Sequence, residues 1–333
     1  MDEKQKLIDK TVKSINETFG KGIAQTLDGA FEPNKIKGFI PTNNLALDWV
    51  IGRPGFPVGR ISEVAGKYGS GKSSIIASTI GNVQRNGGLG ILVDAEKSYD
   101  PTWGTMHKVI PDELIYLDPP HLEGVFDETI VAIKTIRDSG SEMPIFLAVD
   151  SVSAVPTAAE MEVEDSTSSK QSAAHAVIIS EGLRRMSKLI HQQNVAVVFV
   201  SQLKDNPRAS WGKTTSKIGG SAIDFSAGLL LELTRTKYIT KNEKKIGQTI
   251  QITSRKNKFN FIDPLRVRTV DLYYRDGFRP KEILIDFLVE EGMIKKNGAW
   301  YEHDGSKFYK EDLAEKLDDS LFPQIYEKLG IIP

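Results

Sequence analysis

Short apolar runs punctuate the first two-thirds of the chain, and each gives way to a stretch with helical periodicity. The runs are Arg60–Ala65, Gly90–Val93, Pro144–Val149 and Val195–Val200. They carry few polar residues on either face, which is the pattern of strands buried on both sides in a parallel sheet. The spacing after Ser74, over 125–138 and over 172–193 predicts the helices that would cover it. Residues 203–220 read as a long polar segment. Extended stretches follow at 228–234, 249–253 and 265–272. From Pro280 short helices are predicted at 283–291, 310–317 and 322–329, around a small turn unit at Ala299-Trp300-Tyr301 and Asp304-Gly305.

The beginning of the chain has a different pattern. Leu7, Ile8, Val12, Ile15 and Phe19 fall on one face of a helix over 2–19, and Gly20 and Gly22 stop it. That stripe packs either on its own domain or on a neighbouring subunit. Residues 30–59 are rich in Pro, Gly and Asn, with a helical patch at Leu45–Val50 and turn chemistry at Pro54–Pro57.

A length of 333 residues fits one large or two modest domains. The net charge of −1 is uninformative, but its distribution is not. Residues 204–275 hold 15 Lys and Arg against 6 Asp and Glu, whereas 276–333 hold 8 against 13. The first stretch suggests either a polyanion-binding surface or an ordinary solvated face. The change of sign suggests a domain boundary near residue 277. With no cysteine, disulfides, thiolate zinc sites and cysteine nucleophiles are excluded. Neither a secretory leader nor a long uncharged apolar run is apparent, so a soluble, cytoplasmic protein without a membrane partner is expected.

The chemistry concentrates at Gly66-Lys67-Tyr68-Gly69-Ser70-Gly71-Lys72-Ser73. This is the phosphate-binding loop pattern, and it lies between a predicted strand and a helix opening at Ser74, as the mechanism requires. Its glycines allow the backbone N–H groups to face a triphosphate, and the helix start adds partial positive charge. Lys72 would reach the terminal phosphates of ATP, and the Ser73 hydroxyl would hold Mg²⁺. Three polar residues end the other apolar runs, where ligands sit in such sheets: Glu96, Asp150 and Gln202. Asp150 suits a metal's water shell or a helix N-cap. Glu96 could take a proton from water. Lys204, Arg208, Lys213 and Lys217 surround Trp211, a mixture suited to single-stranded DNA.

Together these stretches resemble the RecA family of recombinases over nearly the whole length. The matching segments include Phe19-Gly20-Lys21-Gly22, Gly59-Arg60-Ile61, the phosphate loop, Asp94-Ala95-Glu96, Asp100-Pro101, Val149-Asp150-Ser151-Val152, Gly219-Gly220-Ser221-Ala222, Lys256-Asn257-Lys258 and Gly298-Ala299-Trp300-Tyr301. The fold implied is α/β. It has a RecA-like P-loop NTPase core over 39–276 with a mostly parallel twisted sheet. An N-terminal oligomerisation element over 1–38 and a small α+β C-terminal domain over 277–333 complete it.

The resemblance implies that Glu96 is the catalytic base, that Gln202 senses the terminal phosphate, and that Lys256 and Lys258 reach the ATP of a neighbouring subunit. It implies that Asp100 and Trp103 meet the adenine, although Trp103 read alone is nearly as well explained as a core residue. DNA contact is implied for loops near 156–171 and 204–218 with Gly219 and Gly220, and for Arg184. One departure weakens the first loop: Val177, with His175 nearby, stands where bacterial members carry a DNA-binding arginine.

The expected activity is an ATPase dependent on single-stranded DNA. It would form helical filaments of itself and exchange strands with homologous double-stranded DNA. A hexameric motor on the same core and a non-catalytic ATP-responsive DNA-coating protein are the competing expectations.

Overall fold

The computed structural model describes residues 2–26, 36–152, 155–162, 168–191, 193–205, 215–217 and 222–331. They form two compact units, Met1–Ile36 and Lys37–Pro333. The first contains helix α1 (Glu3–Phe19), capped by the Asp2 carboxylate on the Lys4 N–H. The predicted apolar stripe is present, and no residue of α1 is buried. Gly20 ends the helix, and Asn16 then pins the returning chain through two hydrogen bonds to Ala24, of 2.7 and 2.8 Å.

The second unit opens with β1 (Phe39–Ile40), α2 (Leu45–Ile51) and β2 (Phe56–Pro57). The turn chemistry at Pro54–Pro57 thus leads into a short strand that pairs with β1. Then come β3 (Arg60–Gly66), α3 (Lys72–Arg85), β4 (Leu89–Asp94), α4 (Pro101–Met106), β5 (Leu114–Leu117), α5 (Leu122–Asp138) and β6 (Ile145–Asp150). They are followed by α6 (Ala158–Met161), α7 (Ser168–Ile190), β7 (Val195–Asp205), β8 (Thr215–Lys217) and α8 (Ala222–Ser226). The sheet closes with β9 (Leu229–Lys241), β10 (Lys244–Asn257) and β11 (Val267–Tyr273). Its order is β11-β10-β9-β3-β7-β6-β4-β5, with β8 paired to β7. β9 and β5 flank a parallel block, and β10 and β11 are antiparallel additions. The middle strands are buried on both faces, as their composition demands: Ile145 to Val149 and Val195 to Phe199 are sealed from solvent. Phe126 from α5 and Phe199 from β7 meet 6.2 Å apart in this core.

Two expectations about loops change. β7 runs on past Gln202 to Asp205 and pairs with β8, so the polar segment begins as a hairpin rather than as irregular chain. The stretch near 156–171 contains α6 and the start of α7. Thr157 and Glu160 form a reciprocal capping box there.

The chain ends with α9 (Pro280–Glu290), a three-stranded sheet of β12 (Lys295–Asn297), β13 (Trp300–His303) and β14 (Ser306–Phe308), then α10 (Lys310–Lys316) and α11 (Leu321–Lys328). α11 is tied to α2 through a buried acid. The fully buried Asp48 carboxyl accepts from Thr42 Oγ1 at 2.7 Å and from Tyr326 OH at 2.6 Å. Burial outweighs both bonds and raises its pKa from 3.8 to about 7.

Candidate nucleotide site

The loop between β3 and α3 is shaped by close packing as much as by turn geometry. At Gly66 a Cβ would collide with Ser70 Oγ and come within 2.7 Å of the Leu233 carbonyl of β9. Gly71 sits at φ +94° as the N-cap of α3, with Leu272 and Ile250 of the antiparallel strands pressed against it. Glycine tolerates both conditions where larger residues do not. Gln248 of β10, itself buried, donates from Nε2 to the Gly69 carbonyl at 2.8 Å. Lys72 Nζ donates to the carbonyls of Gly66 at 3.1 Å and Lys67 at 3.0 Å.

The acidic side of the site is built by sheet register. Asp94 and Asp150 end neighbouring parallel strands and are directly paired. The Asp150 carbonyl accepts from the N–H groups of Ala95 and Glu96. The Asp94 carboxylate accepts from Ser98 N, Tyr99 N and Tyr116 OH at 3.2, 2.8 and 3.0 Å. The turn bearing Glu96 is therefore held from both strands. Ser73 Oγ donates to Asp150 Oδ2 at 3.0 Å, and the next α-helix, α6, is capped by Thr157 rather than by this acid. Burial first, and then the Glu96 charge, raise the Asp150 pKa to about 6, while Ser73 and Lys72 pull it down. Burial also lowers the Lys72 pKa, partly offset by Asp150 and Glu96.

A cleft of about 590 Å³ joins these groups. Tyr68 to Ser74, Glu96, Asp150 and Gln202 line it, with Tyr99, Trp103 and His107 farther along. Gln202 reaches it because β7 pairs with β3 in register, opposite Gly66. The antiparallel strands add residues that sequence reasoning did not single out: Arg235, Gln248, Tyr273 and Tyr274. No local motif marks them, since β9–β11 bring them in from the far side of the sheet.

Several expected residues lie elsewhere. Asp100 is the N-cap of α4, accepting from Thr102 N at 2.7 Å and Trp103 N at 3.2 Å, and these bonds lower its pKa. It does not line the cleft; Trp103, half-buried, does. Lys256 is on β10 with Nζ on the Asp224 carbonyl at 2.5 Å, whereas Lys258 lies just past the strand, exposed. Neither lines the cleft of its own chain. Arg184 on α7 and Lys204 on β7 are exposed. Arg208, Trp211, Lys213, Gly219 and Gly220 lie outside the described residues, as does the side chain of Lys217.

The donor set suits a divalent cation held jointly by protein and phosphate. Ser73 and Asp150 supply one hydroxyl and one carboxylate, and a cation there would favour the ionised acid that burial disfavours.

A parallel sheet carrying a phosphate-binding loop from β3 into α3, with acids at the ends of the adjacent strands, defines the P-loop class of α/β folds. Comparison with known proteins is more specific. Residues 6–279 match the family model of the RecA N-terminal domain. RecA of Ureaplasma parvum is 32% identical over 295 residues, covering 87% of this chain and 85% of that protein. RecA of Staphylococcus epidermidis is 30% identical over 330 residues, covering 98% and 90%, and RecA of Frankia casuarinae is 30% identical over 339 residues, covering 99% and 95%. The chain belongs to the RecA family.

Proposed function

We propose that this chain is an ATP- and single-stranded-DNA-dependent recombinase that assembles into helical filaments and exchanges strands with homologous duplex DNA. The observation that carries the reading is the convergence of Lys72, Ser73, Glu96, Asp150 and Gln202 on one cleft from four separate strand ends. Each has a chemical task in phosphoryl transfer. Lys72 and the loop N–H groups would bind the triphosphate. Ser73 and Asp150 would hold Mg²⁺, which supplies charge neutralisation at the phosphates. Glu96, held by the Asp150 carbonyl, would take the proton of the attacking water. Gln202, at the root of the β7–β8 hairpin, would pass the state of the terminal phosphate to the segment bearing Lys204, Arg208, Trp211, Lys213 and Lys217.

Lys256 and Lys258 lie outside their own cleft, which supports a role at a neighbour's nucleotide. The unburied apolar stripe of α1 supports assembly through residues 1–38. Residues 39–276 would then be the ATPase core and 277–333 an appended module.

The test is phosphate release measured with and without single-stranded DNA across a salt series, with electron micrographs of the same mixtures. The reading expects DNA-stimulated release that weakens as salt rises, and extended filaments. ATP turnover by monomers, indifferent to DNA, would refute it. Closed rings would favour a hexameric motor.

A further inference from the structure

The far end of the cleft lies between α4, whose C-cap is His107, and the turn after β11, where Tyr273 and Gly277 bond each other's backbone. His107 is 4% exposed and lines the cleft. Its ring lies 4.4 Å from that of Trp103, one helical turn earlier. It makes no side-chain hydrogen bond among the described residues, and its Nδ1 is fully buried. Nδ1 faces the Gly277 backbone so closely that a Cβ there would lie 2.8 Å away. A proton on Nδ1 would be sealed in with no acceptor, at the cost of an unmade bond. Burial also keeps the ring neutral, with a pKa lowered to about 4. The single ring proton is assigned to Nε2, the ring nitrogen that is not sealed in.

An imidazole N–H in a cleft-lining residue, without an acceptor in the protein, calls for an acceptor on the ligand. We propose that His107 recognises the base of the bound nucleotide by donating from Nε2 to a ring nitrogen or carbonyl on the base edge. This rests on reading the cleft as a nucleotide site. It assigns the base end to a residue that no motif singles out. Trp103 and Tyr274, half-buried and exposed respectively, offer flat surfaces at the same end, so stacking and edge recognition would come from separate groups.

The experiment compares binding of ATP with binding of inorganic tripolyphosphate, which has no base, by isothermal titration calorimetry. The parent protein, His107→Leu and His107→Gln are measured with Mg²⁺. The leucine fills a similar volume without a donor, and the glutamine keeps an N–H at similar reach. The expected result is a loss of about tenfold in ATP affinity for His107→Leu, with tripolyphosphate unchanged and His107→Gln within about threefold of the parent. Equal ATP affinity in the leucine variant would overturn the assignment. So would a parallel loss for both ligands, which would mark His107 as a packing residue. If the parent bound neither ligand, the nucleotide site would fall, and the base contact with it.

Discussion

The buried acid between α2 and α11 makes stability depend on pH in a direction opposite to that of most carboxylates. Asp48 has a pKa near 3.8 when exposed and about 7 in the fold. The folded state therefore holds a proton that the unfolded chain has already lost across that window. Its stabilising contribution is complete below 3.8 and disappears as pH rises through 7. The full span corresponds to roughly 4 kcal/mol, and the part falling between pH 5 and pH 8 to about 3 kcal/mol. Asp48→Asn removes the titration. It also places an amide donor where one oxygen accepted from Thr42 or Tyr326, a pH-independent cost of about 1 kcal/mol. Urea unfolding of parent and variant at several pH values would read the difference. The variant should gain on the parent by about 3 kcal/mol from pH 5 to pH 8. Parallel stability curves would show that Asp48 is ionised in the fold throughout, and the argument from burial would fail.

Three other substitutions test the nucleotide site. Glu96→Gln should lower ATP turnover by about 10²–10⁴-fold while leaving ATP affinity nearly unchanged, as read by phosphate release and equilibrium binding. Gly66→Ala should abolish tight ATP binding, because its Cβ runs into Ser70 Oγ and the Leu233 carbonyl; binding at the parent's affinity would show that the loop can adjust. Lys256→Ala, mixed with Glu96→Gln, should recover part of the lost turnover, because some interfaces then combine an intact base with an intact lysine; no recovery at any ratio would remove the lysine from the neighbour's site.

Much of this architecture could be read from the apolar runs, because strands buried on both faces must be apolar throughout. β3, β4, β6 and β7 were found that way, along with the polar residues at their ends. β5 was not: three of its four residues are half-buried and one is exposed, and a pattern that short resembles any loop. β9 and β10 are longer than the pattern predicts. β9 carries exposed residues from Thr234 to its end, and β10 contains register shifts that break the alternation on which such a reading depends. The phosphate loop and its acids were visible as motifs. Arg235, Gln248, Tyr273, Tyr274 and His107 were not, since their place in the cleft comes from sheet order rather than from local spacing. Asp100 shows the reverse. The resemblance assigns it to the adenine, but the residue caps α4, where its Oδ1 accepts from two backbone N–H groups, and it does not line the cleft.

One strand touches more than its own neighbourhood. Gln248 on β10 grips the phosphate loop at Gly69, and Lys256, eight residues on, belongs to the set assigned to an adjoining subunit's nucleotide. About 26 Å of strand separates them, paired to β9 along its length and to β11 as far as Thr253. If the proposed filament forms, the loop holding one triphosphate and the lysine reaching the next are parts of a single strand, so a change at either end has a direct covalent route to the other.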